Sequence, residues 1–127
     1  MDKDALKLRT RRFALAVIQL VEGMPKSMSS TVIGRQVMRA GTAVGANYRA
    51  ACRARSRAEF IAKLGIVEEE ADECIYWFEL MEEANLLPQT SIAPLKSEAN
   101  ELLSIIIATI RSTRSTANPK SEIRNPK

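Results

Sequence analysis

Apolar residues recur every three or four positions in four stretches of the chain, the period of an amphipathic helix and not of a strand. In the first stretch, about residues 3–24, Leu6, Phe13, Val17, Leu20, Val21 and Met24 make the stripe, and Gly23 and Pro25 end it. The second, about 30–55, starts at the N-cap candidate Ser30 and carries Ile33, Val37, Ala40, Val44, Tyr48 and Ala51 on one face. Ser56-Arg57-Ala58-Glu59 has capping-box spacing, in which the serine oxygen takes a backbone N–H and the glutamate reaches back to the serine's own. It opens a third helix over about 56–86, striped by Phe60, Leu64, Val67, Ala71, Cys74, Phe78 and Met81, into which the second helix runs almost straight. Leu87-Pro88-Gln89 turns the chain, Thr90 or Ser91 caps a fourth helix over about 91–113, and Pro94 falls in its first turn, where N–H groups lack partners.

Four such segments on short turns, with no strand signal, predict an all-α, up-and-down antiparallel four-helix bundle occupying residues 1–113. From Arg114 onward two Asn-Pro-Lys repeats and no core-forming face predict a disordered basic tail over 114–127. The fourth helix exceeds what one core needs: Leu102, Leu103, Ile105, Ile106, Ile107 and Ile110 surround most of it. A second apolar face calls for a second partner, so Ile105, Ile106, Ile107 and Ile110 are the expected oligomer interface, with Leu15, Ala16 and Ile18 adding weaker support on helix one.

Composition narrows the chemistry. The 127 residues suit one domain able to bury a core without staples, and 5% aromatics with five glycines and five prolines favour helices. Two cysteines, Cys52 and Cys74, sit in helical patterns and make no disulfide framework, which points to a reducing cytoplasm. The apolar run Phe13–Val21 is too short to span a bilayer, and Asp2 and Asp4 spoil the basic region of a signal peptide.

With no histidine, the usual neutral-pH base and the commonest transition-metal ligand are both missing. Neither cysteine has the partner that makes a nucleophilic thiolate, so a non-enzymatic protein without metal or cofactor is expected. The third helix carries Glu68, Glu69, Glu70, Asp72, Glu73, Glu79, Glu82 and Glu83, but a bundle metal site wants carboxylates and histidines on several helices. Gly34, Gly41 and Gly45 lie inside a helical pattern with no Gly-Lys-Ser/Thr after them, so they are no phosphate loop. Gly41 and Gly45 let another helix come close, which offsets a propensity cost of about 1 kcal/mol each, and Asn47 beside them needs a hydrogen bond where buried.

The distinctive feature is a row of arginines. Arg35, Arg39, Arg49, Arg53 and Arg57 fall within about 40° of one line when residues advance ~100° each, a ridge about 33 Å long. No acid occurs between residues 34 and 58. Two readings compete. In one, the ridge pairs with Glu68, Asp72, Glu79, Glu82 and Glu83 of helix three, within or between subunits, and the protein is a scaffold that binds other proteins. In the other, the guanidinium groups face the phosphates of RNA or DNA, helped by Lys3, Lys7, Arg9, Arg11 and Arg12 and by the basic tail. Tyr48 is the one ring near the ridge, so such binding would be backbone-led and salt-dependent.

Gly34-Arg35-Gln36-Val37-Met38-Arg39-Ala40, Ala43-Val44-Gly45-Ala46-Asn47-Tyr48-Arg49-Ala50-Ala51 and Arg55-Ser56 with Glu59-Phe60 resemble the core motif of bacterial four-helix bundle proteins related to the 23S rRNA intervening-sequence protein. Glu69-Glu70-Ala71-Asp72-Glu73 before Tyr76-Trp77-Phe78, and Leu95 to Arg114, are similar to that family's third and fourth helices. Many relatives have Asn-Ile-Ala-Glu-Gly where this chain has Asn47-Tyr48-Arg49-Ala50-Ala51, which makes it resemble a sister branch. The resemblance implies a ring-shaped homopentamer of antiparallel bundles and no catalysis. It extends to accessory proteins of diversity-generating retroelements, which bind nucleic acid and a reverse transcriptase.

Overall fold

The computed structural model describes residues 1–117 and consists of four helices: α1 Lys3–Glu22, α2 Met28–Cys52, α3 Arg57–Glu83 and α4 Gln89–Ala117. The helices sit in a closed square, α1 beside α2, α2 beside α3, α3 beside α4 and α4 back beside α1, and side chains of α1 and α3 meet across its middle. Joined by short turns, they form the antiparallel up-and-down bundle that the apolar stripes predict. α4 runs four residues beyond the expected Thr113, through residues 114–117; the rest of the predicted tail, 118–127, lies outside the described residues.

The helix ends follow local chemistry. Asp2 caps α1 by accepting the Ala5 N–H at 2.7 Å, and Asp4 adds a carboxylate beside the positive end of the helix dipole. The cap of α2 is Ser27, not Ser30: Ser27 Oγ accepts the Ser30 N–H at 3.1 Å, and Ser30 itself is buried a turn inside. Nor does α2 run on into α3. It stops at Cys52, and Ser56 caps a new helix by accepting the Glu59 N–H at 3.0 Å while Glu59 reaches back to the Arg55 N–H at 2.9 Å. A capping box satisfies donors that exist only at a helix start, so its presence competes with a continuous helix.

α3 ends on Asn85, which takes the left-handed conformation at φ 56°, with the Leu86 N–H returning to Met81 O at 3.1 Å. Asparagine tolerates that backbone better than other residues with a Cβ, and the 6→1 bond completes a Schellman-type stop. α4 begins at Gln89, so Thr90 and Ser91 are helical and no cap, and Pro94 is its sixth residue, past the first turn. The carbonyl that Pro94 cannot bond belongs to exposed Thr90, where water can serve it.

The core is the four stripes brought together. Leu64, Val67, Phe78, Met81, Ile92, Leu102 and Ile106 are fully buried, and Phe13 meets Phe78 edge-to-face with centroids 6.4 Å apart. Thr10 occupies a stripe position on α1 that hydropathy alone passes over. It is buried because its hydroxyl donates back to Leu6 O and Lys7 O at 3.0 Å, so no polar atom is left unmatched.

Opposite it, α2 presents glycines. A Cβ added at Gly41 would lie 2.9 Å from both Val17 methyls, and one at Gly45 would lie 3.3 Å from Thr10 Oγ1, so α1 and α2 approach backbone to side chain along this seam. Asn47 is half-buried and donates from Nδ2 to Ala43 O at 2.9 Å, within its own helix.

The α1–α4 seam is the least extensive of the four. A fork of charge closes it: Arg9 donates to both oxygens of Glu98, at 2.6 and 2.8 Å, and to Glu101 at 2.7 Å. Hydrogen bonds from Glu98 first, then Glu101, raise the guanidinium's already high pKa further.

Candidate nucleic-acid interface

The bundle divides the expected arginine ridge. Arg35, Arg39 and Arg49 lie on α2, Arg53 is its C-cap with φ −102° and ψ 11°, and Arg57 is the first residue of α3. The single 33 Å line expected at ~1.5 Å per residue therefore ends with α2, and Arg57 belongs to another helix.

Arg39 is turned to the α2–α3 seam, where carboxylates of α3 already engage it. Its guanidinium bonds Glu70 at 3.1 Å and Glu73, and Glu73 also accepts the Trp77 indole N–H at 2.9 Å. The Trp77 bond first, and the Arg39 bond after it, hold the Glu73 carboxyl below its usual range; the Glu73 bond first, and the Glu70 bond after it, raise Arg39. The acids expected to face the ridge were Glu68, Asp72, Glu79, Glu82 and Glu83, and this is corrected. Glu82 instead takes Lys96 of α4 at 2.8 Å, with Glu79 and Glu83 adding to the field that raises Lys96 behind that bond. Glu70 and Glu73 of α3 serve α2, and Glu82, about 120° from the first and about 180° from the second at ~100° per residue, serves α4.

What the fold does bring together is the other end of α2 with the N-terminal cations of α1. A groove of about 550 Å³ runs between these helices, walled by Lys7 and Arg11 on one side and Arg49 and Arg53 on the other. Ala14, Thr42, Gly45 and Ala46 also line it, small residues between the basic walls, together with Leu8 and the carboxylate of Asp4. Among the described residues, Arg11, Arg49 and Arg53 form no ion pair, and Lys7 has only the exposed Asp4 at 3.4 Å. An exposed pair of that kind contributes little and yields to a stronger anion.

The N-terminal cluster is thus sorted by azimuth. Lys7 and Arg11, four apart, point toward α2, whereas Arg9 points toward α4 and is held there by Glu98 and Glu101. The recurrence Lys7, Arg11, Ala14 on the flank of the stripe that meets the α2 glycines is the sequence signal that could have singled out this wall. Arg35 lies outside the groove, in a separate hollow with Lys26 at the α1–α2 turn. Tyr48 is buried and offers no stacking surface; its hydroxyl's pKa is raised mainly by that burial.

The expected oligomer interface changes as well. Ile106 and Ile110 are buried inside the subunit core and so are not free for a partner, whereas Ile105 and Ile107 are half-buried. The exposed large apolar side chains lie elsewhere, with Leu15 and Leu8 on α1, Val32 on α2 and Tyr76 on α3, each about half exposed.

Burial also quiets the thiol of Cys74, whose pKa is pushed up to about 12 by desolvation first and by nearby Glu70 and Glu73 after it. Among the described residues no group of three or more acidic, cysteine or histidine side chains is placed to hold a metal ion, and no helix is long and apolar enough to cross a membrane.

A family model described as 23S rRNA-intervening sequence protein matches residues 5–108. Among solved structures, the chain is similar to a protein of unknown function from the S23 ribosomal protein family of Bacteroides thetaiotaomicron, with 31% identity and a TM-score of 0.81. The alignment covers 87% of this chain and 99% of that one. No curated protein matches the chain significantly.

Proposed function

The chain belongs to the 23S rRNA-intervening sequence protein family, and on that premise we propose that it is a non-enzymatic, nucleic-acid-binding accessory factor whose contact surface is the α1–α2 groove. One observation carries this reading: Lys7, Arg11, Arg49 and Arg53 converge on one groove from two helices, three of them without an ion-pair partner among the described residues. Like charges gathered around one space repel one another, so the arrangement costs stability unless a polyanion supplies the counter-charge. Guanidinium forks suit phosphate oxygens, and the absence of an exposed ring in the groove favours backbone contact over base reading.

The working form in this proposal is a homo-oligomer in the cytoplasm, the ring-shaped pentamer that the family resemblance implies. Half-exposed Leu15 and Val32 support further association, beside the half-buried Ile105 and Ile107 of α4.

Fluorescence anisotropy with labelled RNA and DNA at several salt concentrations tests the function. Expected are an affinity that falls steeply with salt and its loss in Arg49→Glu/Arg53→Glu with the helical circular dichroism unchanged. No binding at low salt refutes the reading. It would favour the second one, a protein-binding scaffold, which draws support from the way Arg9 and Arg39 are already engaged by carboxylates.

A further inference from the structure

We infer that the nucleic-acid contact does not stop at the groove but continues over the adjoining end of the bundle, onto the exposed arginines of the α2–α3 turn; this deepens the proposed function and rests on it. The up-and-down order decides what that end contains: the start of α1, the end of α2, the start of α3 and the end of α4. Lys3 Nζ lies 5.0 Å from the centroid of the Phe60 ring, which ties the start of α1 directly to the start of α3.

All four helices bring cations to this end. Arg53, which already walls the groove, is the C-cap of α2, Arg55 follows in the turn, Arg57 opens α3, and Arg111 and Arg114 lie in the last two turns of α4. These five arginines are exposed, and none forms an ion pair among the described residues. Arg53 makes the groove and the turn one continuous basic surface.

The acids at this end are already engaged. Segments 1–8, 50–60 and 108–117 carry seven cations against three acids, Asp2, Asp4 and Glu59. Asp2 accepts the Ala5 N–H at 2.7 Å, Glu59 accepts the Arg55 N–H at 2.9 Å, and Asp4 lies 3.4 Å from Lys7. Arg57 is placed still less favourably. As the first residue of α3 it sets a cation at the positive end of a helix dipole, where a carboxylate is preferred. Electrostatics within the chain oppose this arrangement, and a polyanion bound across it turns the opposition into attraction.

The far end of the bundle has the contrary balance. Segments 18–30 and 77–97 carry four acids, Glu22, Glu79, Glu82 and Glu83, against Lys26 and Lys96, and Lys96 is held by Glu82. A polyanion is therefore drawn toward the end that holds the turn.

The test takes the tightest-bound of three labelled probes, oligo-U, oligo-dT and duplex DNA, with the full chain in its native assembly. Each phosphate contact contributes about 0.7 to the log–log salt slope on a single strand and about 0.9 on a duplex, so Arg55→Gln/Arg57→Gln should lower the slope by about 1.4–1.8. The affinity gap between this variant and the unaltered chain should then shrink by about 7- to 12-fold between about 50 and 200 mM salt. Lys26→Gln/Arg35→Gln removes the same charge toward the far end and should leave the slope near its original value.

An unchanged slope for the turn pair, with Arg49→Gln/Arg53→Gln still lowering it, confines the contact to the groove; that overturns the inference and leaves the proposed function standing. Equal changes from the turn pair and the far pair reduce the effect to net charge and overturn it too. Absence of binding by every probe overturns both the inference and the function it rests on. Without nucleic acid at low salt, the turn pair should melt no lower than the unaltered chain, because it relieves repulsion. A lower melting temperature assigns these arginines to the fold and overturns the inference.

Discussion

The close approach of α1 and α2 makes one pair of chemically identical substitutions diverge. Gly41→Ala and Gly65→Ala each place a methyl in a helix interior and each gain about 1 kcal/mol of helix propensity. At Gly65 nothing lies within 4 Å of the new Cβ, so that gain stands and the protein becomes more stable by about 1 kcal/mol. At Gly41 the Cβ arrives 2.9 Å from both methyls of Val17, which is fully buried. Valine has one strongly preferred rotamer in a helix, so the methyls cannot swing aside and the helices must separate.

Overpacking of that kind costs about 1–3 kcal/mol, which leaves Gly41→Ala between neutral and about 2 kcal/mol destabilising after the propensity gain. The two variants should differ by about 1–3 kcal/mol. In a Val17→Ala background the obstruction is gone, and Gly41→Ala should then stabilise as Gly65→Ala does, a coupling of about 1–3 kcal/mol across the seam. Urea unfolding followed by far-UV circular dichroism, at one fixed protein concentration because association would shift the midpoint, measures the unaltered chain and every variant. If Gly41→Ala stabilises as much as Gly65→Ala in the unaltered chain, the tight seam is wrong.

Two further outcomes follow from the charged contacts. Arg9→Met keeps the apolar stem but removes the fork to Glu98 and Glu101, and should lower stability by about 1 kcal/mol, with α1 amides losing hydrogen-exchange protection ahead of α3; unchanged protection of α1 would show that the seam does not depend on the clamp. Glu73 has a depressed pKa in the folded state, so its contribution is present above its ordinary value of about 4.5 and is lost as pH falls through the lower folded value. Thermal melts from about pH 6 down to pH 3 should therefore fall less steeply with acid in Trp77→Phe, which removes the larger cause of the depression, and parallel curves would assign the acid sensitivity to other carboxylates.

The number of helices, their buried stripes and the start of α3 were legible in the sequence because each depends on spacing within one segment. Leu64, Val67, Ala71, Cys74, Phe78 and Met81 recur at helical period and are buried as that period requires. Ser56 and Glu59 signal a start through atoms three residues apart. Spacing also sets azimuth, which is why Leu15 could be placed off the stripe of α1 before any neighbour was known.

What lay beyond the sequence was the relation between helices. Helical spacing puts Arg39 on the basic ridge, and the carboxylates it reaches are Glu70 and Glu73, while Glu82, one of the acids expected opposite the ridge, pairs with Lys96 of α4. Arg9 and Arg11 read alike as members of a basic cluster, but one closes the bundle and the other walls the groove. Ile106 and Ile110 were read as part of a second apolar face, but the bundle core takes both.

Periodicity gives each side chain an angle about its own axis, whereas the direction in which the neighbouring helix lies follows from packing shape, here from glycines on α2 receiving Val17 and Thr10 of α1. An angle becomes a contact only when that direction is known. The core could therefore be read from one helix at a time, and the grouping of the four cations required the assembled bundle.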